Sequence, residues 1–112
     1  MEVVSYPRQD EVWLISPDPT QGSEIQTTRP CLVVSPNEMN QYLQTLIVAP
    51  MTTAERAYPT RVGLLFQHKK GQVALDQIRA VDRKRLVKKL GSVPAKTAQA
   101  VSALLIEIFS RP

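Results

Sequence analysis

Along the 112 residues, apolar positions gather in short runs separated by prolines and polar stretches. EVWLI (11–15) reads as a first strand, PCLVVS (30–35) as a buried second one, and TLIVAP (45–50) as a third. Between the first two, residues 16–29 form a polar loop carrying the turn formers Pro17, Asp18, Pro19 and Gly22. So long a loop in so small a chain points to function. Ser35-Pro36-Asn37-Glu38 has the order of a capping box with proline at the first helical position, which predicts a short helix to about Tyr42. RVGLLF (61–66) and QVALDQI (72–78) flank HKKG and predict a hairpin.

Beyond that point the spacing changes. Asp82 is placed to cap a short basic helix, DRKRLVKKL, which Gly91 would end. Pro94 opens a last helix on which Ala98, Val101, Leu105 and Ile108 recur at steps of three and four, with Leu104 and Phe109 beside them. That apolar face must pack on the sheet or on a partner. Five short strands with helices predict an α+β fold that is mainly β: a small, strongly curved antiparallel sheet close to an SH3-like barrel, in one domain over 1–112.

Charge changes the picture. Residues 1–60 carry three Arg against seven acids, net −4, while residues 61–112 carry eleven Lys or Arg against three acids, net +8, in keeping with the overall +4. Most of the excess lies between Arg79 and Lys89, an asymmetry that suits a polyanionic ligand, although a solvated basic helix face would look the same. No apolar run approaches the length of a membrane span, and the first residues lack the basic-then-apolar order of a signal peptide, so a cytoplasmic protein is expected. Cys31 is the single cysteine and His68 the single histidine, which excludes an internal disulfide and a Cys/His zinc site. Cys31 sits inside CLVVS and reads as core, and His68 in QHKKG reads as a solvated loop residue.

VWLISPDPTQGSE, TRPCLVVSPNEMN, LIVAPMTT, YPTRV and VALDQIRAVD, in this order and spacing, resemble the PemK/MazF family over nearly the whole chain. The combination of DPTxGSE, RPxLVVSP and VAPMTT carries the resemblance. It implies a toxin of a type II toxin–antitoxin pair on a CcdB/PemK-type barrel. It also implies a homodimer that cleaves single-stranded RNA at short sequences without metal or other cofactor, leaving a 2′,3′-cyclic phosphate and a 5′-hydroxyl. The implied partner is a MazE-like antitoxin that lays an acidic, flexible segment over the RNA groove.

Such a reaction needs a home for the 2′-hydroxyl proton, stabilisation of the phosphorane-like charge, and a proton for the 5′-oxygen. The resemblance assigns the second task to Arg29, whose guanidinium at a strand end suits phosphate oxygens. A proton-transfer role for it is chemically awkward, because arginine does not readily lose a proton. Thr52 is expected to donate its hydroxyl to a phosphate oxygen, and Glu24 to accept the 2′-hydroxyl proton or orient Arg29. Ser23, Gln26, Thr28, Thr53, Arg56, Asp76, Gln77 and Arg79 are expected to contact RNA, with QGSEIQTT as a flap over the site. With only 5% aromatic residues, base stacking must be sparing; Trp13 reads as core and Tyr58 as a possible stacking residue. The chain departs from part of the family: Ala74 stands where some relatives carry an arginine two residues before the Asp, and Ser23 where others carry histidine. Two rivals share the fold class, a CcdB-like gyrase poison and a catalytically inactive RNA- or antitoxin-binding module.

Overall fold

The computed structural model describes residues 5–17 and 28–112. Strands β1 (Glu11–Ile15), β2 (Arg29–Val33) and β3 (Thr45–Thr52) fall where the apolar runs predict them, with helix α1 (Asn37–Tyr42) between the last two. Strands β4 (Arg61–Phe66) and β5 (Lys69–Ala74) form the expected hairpin. Strands β6 (Arg79–Asp82) and β7 (Leu86–Ser92) and helix α2 (Ala95–Phe109) complete the fold. The sheet runs β4-β5-β3-β2-β1-β7, and β6 pairs with β3. β3 is the pivot: Thr45 to Val48 pair with β6, and Met51 and Thr52 pair with β5, so one strand serves two sheet segments. This is the curved antiparallel sheet with a C-terminal helix that the sequence predicts.

Apolar neighbours along the central strands serve opposite faces. Val12, Leu32, Ala49, Val73 and Leu75 form one core with Val93 and Val101, and α2 covers it with Ala98, Leu104, Leu105 and Ile108. Ile15, Cys31, Val33, Leu46, Val48 and Val81 form a second, against which Trp13 and Leu86 pack. Strands buried on both faces read as continuous apolar runs rather than as alternation. Cys31 is core as predicted, 7% exposed. Phe109, expected beside the apolar stripe of α2, is instead 69% exposed, because the turn of the helix carries it off the face that Val101 buries.

Four local expectations are corrected. The basic stretch is not a helix: Arg83–Arg85 make one 3-10 turn, capped by Asp82 through the Lys84 amide (2.8 Å), and Leu86–Ser92 are a strand. Its leucine spacing suits a helix, but β1 needs a second partner, and pairing with it overrides local propensity. Two register shifts in this pairing let Leu86, opposite Ile15, enter one core and Leu90 the other. This strand and the short β6, neither among the five predicted, bring the sheet to seven strands.

The capping box does not form. Pro36 is the N-cap, so Ser35 lies one residue too early to cap. Its buried hydroxyl donates to Asn40 Oδ1 and accepts from the Ile47 amide (3.0 Å), which fastens α1 to β3. The hairpin turn is Gln67-His68 alone, with φ of 50° and 64°, so the lysines and Gly71 are already strand. Two consecutive positive φ values give the tight turn whose twist matches the strands. His68 is exposed there, as read. Asp76 and Gln77 lie in a 3-10 turn (Leu75–Gln77) rather than at a strand end, because Leu75 turns inward to the core.

Candidate functional site

β2 and β3 run antiparallel with Cys31 opposite Pro50. Just beyond the end of this pairing, Arg29 stands at the exposed start of β2 and Thr52 at the end of β3. Both line a pocket of about 220 Å³ with Arg56, Arg61 and Gln77. Both residues sit on strands of the sheet, Arg29 paired with Ile15 of β1 and Thr52 with Gln72 of β5, so the sheet rather than a loop carries them to the pocket.

The Thr52 hydroxyl oxygen accepts from the Ala54 amide (3.1 Å). This is the loop-capping bond expected of a threonine after a strand. The bond uses an acceptor lone pair and leaves the hydroxyl hydrogen to donate. The following loop is held from the other side: Gln72 Nε2 donates to the Arg56 carbonyl (2.9 Å) and its Oε1 accepts from the Arg56 amide (3.2 Å).

Arg61 is the residue that sequence reasoning missed. Its Nε and Nη2 donate to the two carboxylate oxygens of Asp76 at 2.8 and 3.3 Å, and its guanidinium lies 5.0 Å from the Tyr58 ring centroid. Thr60 Oγ1 also donates to Asp76 (3.1 Å). Tyr58 therefore stacks on an arginine of the protein itself. The hydrogen bond from Arg61 holds the Asp76 carboxyl below the usual carboxylate range, which makes it a weak base. The signal lay in YPTRV: with the turn placed at Gln67-His68, Arg61 pairs with Ala74, two residues from Asp76. At Ala74, where some relatives were expected to carry arginine, a guanidinium is supplied from across the hairpin instead.

Other predicted residues fall apart from this group. Thr53 faces a second, more apolar pocket of about 290 Å³ that shares Thr52 and is walled by Met51, Leu64, Phe66 and Leu90. Arg79 starts β6, opposite Val48, and is exposed. Burial pushes the Cys31 thiol up to about 11, against the opposing charges of Arg79, Arg29 and Arg85, so these three cations flank one buried sulfur. Thr28 is exposed beside Arg29. Glu24, Ser23 and Gln26, and with them the expected flap, lie outside the described residues. The basic stretch is partly committed to structure: Arg85 Nε donates to the Ser16 carbonyl (2.8 Å), and Lys89 pairs with Glu11 (2.8 Å). Among the described residues, no three His, Cys, Asp or Glu side chains are grouped to hold a metal ion, and no helix is long and apolar enough to cross a membrane.

A curved antiparallel sheet with a C-terminal helix is the fold this chain shares with a class of solved toxins. One solved member, an endoribonuclease in complex with its cognate antitoxin from Mycobacterial species, superposes with a TM-score of 0.77 at 25% identity, covering 95% of this chain and 99% of that one. Residues 8–109 match the family described as PemK-like, MazF-like toxin of type II toxin–antitoxin system, and the chain belongs to that family. It is 34% identical over 95 residues to the endoribonuclease toxin MazF of Escherichia coli strain K12, covering 84% of this chain and 85% of the relative. It is 35% identical over 109 residues to the endoribonuclease PemK of Escherichia coli, covering 89% and 80%.

Proposed function

We propose that this toxin is an endoribonuclease that cuts single-stranded RNA without a metal, at the pocket between β2 and β3. The observation that carries the reading is that Arg29 and Thr52 line that one pocket. In the proposed reaction the 2′-oxygen attacks the adjacent phosphorus and the 5′-oxygen leaves, giving a 2′,3′-cyclic phosphate and a 5′-hydroxyl. The Arg29 guanidinium takes up the charge that grows on the non-bridging oxygens, and the Thr52 hydroxyl donates to one of them. A fixed cation and a fixed donor provide what a divalent ion provides elsewhere.

The 2′-hydroxyl proton passes to Glu24 and the departing 5′-oxygen takes a proton from solvent water, so the protons balance. Ser23, Gln26, Thr28, Thr53, Arg56, Gln77 and Arg79 contact the RNA on either side. The likeness to an endoribonuclease solved with its antitoxin supports a cognate antitoxin as partner, and the +8 balance of residues 61–112 suits an acidic segment of it. The working form is a homodimer in the cytoplasm.

The test is digestion of a long single-stranded RNA in EDTA, with sequencing of the 5′ ends and chemical analysis of both termini. Cleavage to cyclic-phosphate and 5′-hydroxyl ends is expected, and Arg29→Ala should slow it about 100-fold or more, the scale of losing a principal oxyanion stabiliser. Intact RNA with gyrase inhibited instead, or tight RNA binding with no cut, overturns the reading.

A further inference from the structure

We infer that Arg61 reads a base next to the scissile phosphate, and that the base is one with two adjacent hydrogen-bond acceptors, as on guanine (N7 and O6) or cytosine (O2 and N3). The inference rests on the nuclease reading above and adds to it the residue that sets sequence preference. Arg61 shares the pocket with Arg29 and Thr52, so whatever it binds lies within about a nucleotide of the bond that breaks.

Its guanidinium is gripped side-on. Asp76 takes Nε and Nη2, Tyr58 lies beneath the plane, and the side chain is 7% exposed. Thr60 Oγ1 and Arg61 Nε both donate to Asp76 Oδ1, which holds the carboxylate in place as well. A side-on grip through Nε and Nη2 leaves the end-on edge, Nη1 and the second Nη2 hydrogen, as a rigid pair of parallel donors. Such a pair matches two neighbouring acceptors on a base edge, the geometry of the commonest specific arginine–base contact. Single-stranded RNA presents these edges unstacked.

Charge decides between a base and a phosphate. Asp76 already matches the Arg61 cation, so the pair brings directed donors and little net charge. Arg29 and Arg56, exposed in the same pocket, have no such partner among the described residues and serve the phosphates. Asp76 is then a positioning residue that acts through Arg61.

The experiment is cleavage of a pool of single-stranded RNAs randomised in sequence, with the cut ends sequenced for the unaltered protein, Arg61→Gln, Arg61→Lys and Asp76→Asn. The unaltered protein should prefer guanine or cytosine at one position beside the cut. Arg61→Gln should reduce that preference about tenfold or more. Arg61→Lys keeps the charge without the fork; it should still cut the pool while losing the preference, which separates base reading from folding. Asp76→Asn should weaken the preference without removing the charge. An unchanged preference in Arg61→Lys overturns the inference. So does a uniform loss of cleavage across all sequences, or a salt dependence of binding that is shallower in Arg61→Gln, because either marks a phosphate contact. If the unaltered protein cuts none of the pool, the nuclease reading itself has failed.

Discussion

Gly71 of β5 lies so close to Thr52 of β3 that a Cβ at position 71 would come within 2.8 Å of the Thr52 carbonyl oxygen. Thr52 pairs with Gln72, the next residue, so β5 sets the place of the threonine whose hydroxyl is proposed to donate to the phosphate. Gly71→Ala must push the end of β3 away, since the obstruction is backbone. Overpacking of this kind costs about 1–3 kcal/mol in stability. A small misplacement of a donor costs far more in rate, so cleavage should fall about 10- to 100-fold while the protein still melts cooperatively. Full activity in Gly71→Ala would show that the position of Thr52 is immaterial.

The pairing of Asp76 with Arg61 makes a prediction about pH. The hydrogen bond from Arg61 lowers the Asp76 carboxyl, so Asp76 is ionised wherever cleavage is measured near neutrality. A group lowered in the folded state contributes stability above its unfolded value, and that contribution is lost as pH falls through the folded one. Asp76→Asn should therefore matter least in acid. The acidic limb of the kcat profile should stay in place in this variant; its disappearance would make Asp76 the proton acceptor instead.

Glu11 ties β1 to β7. Its carboxylate accepts from the Arg8 amide (2.8 Å) and Trp13 Nε1 (3.0 Å) and pairs with Lys89. Burial alone would raise its carboxyl, but the Arg8 amide, Lys89 and Trp13 together bring it below its ordinary value. Glu11→Ala leaves the indole N–H without its acceptor and should cost about 2 kcal/mol at pH 7. Since the folded value is the lower one, the gap between Glu11→Gln and the unaltered protein should narrow as pH drops from 5 towards 3. Thermal melts across that range decide it; a gap that widens in acid contradicts the assignment.

The charge asymmetry predicts a salt effect of limited size. Arg85 and Lys89 are occupied with Ser16 and Glu11, so the stretch offers RNA fewer free cations than its sequence suggests. Arg79 is exposed close to the buried Cys31 that Arg29 also faces. RNA affinity should fall with salt, and Arg79→Gln should reduce the slope of log affinity against log salt by about 0.7, one phosphate contact on a single strand. A slope unchanged by Arg79→Gln would place that charge in solvent.

The strands that carry Arg29 and Thr52 were legible because each is a short apolar run closed by a proline or a polar pair, and α2 because its apolar spacing extends over four turns. The segment after Asp82 was not legible. Its leucines satisfy a helical period and a bulged strand equally, and only the unpaired edge of β1 chooses between them. Arg61 and Asp76 were hidden for a related reason: their meeting depends on which residues turn the hairpin, and Gln67-His68 lacks the glycine or asparagine that usually marks such a turn.

By itself, then, the chain's order of residues determined its family, its curved mainly-β fold and the two side chains on which the chemistry is proposed to rest. These follow from local apolar patterning and from motifs read in sequence. The tertiary structure decided that Arg29 and Thr52 line one pocket, that Asp76 is bound to Arg61, and that the basic stretch is an edge strand. Each of these brings together residues far apart in the chain, and strand pairing, which carries a side chain to one face or the other with every single-residue step, is the means.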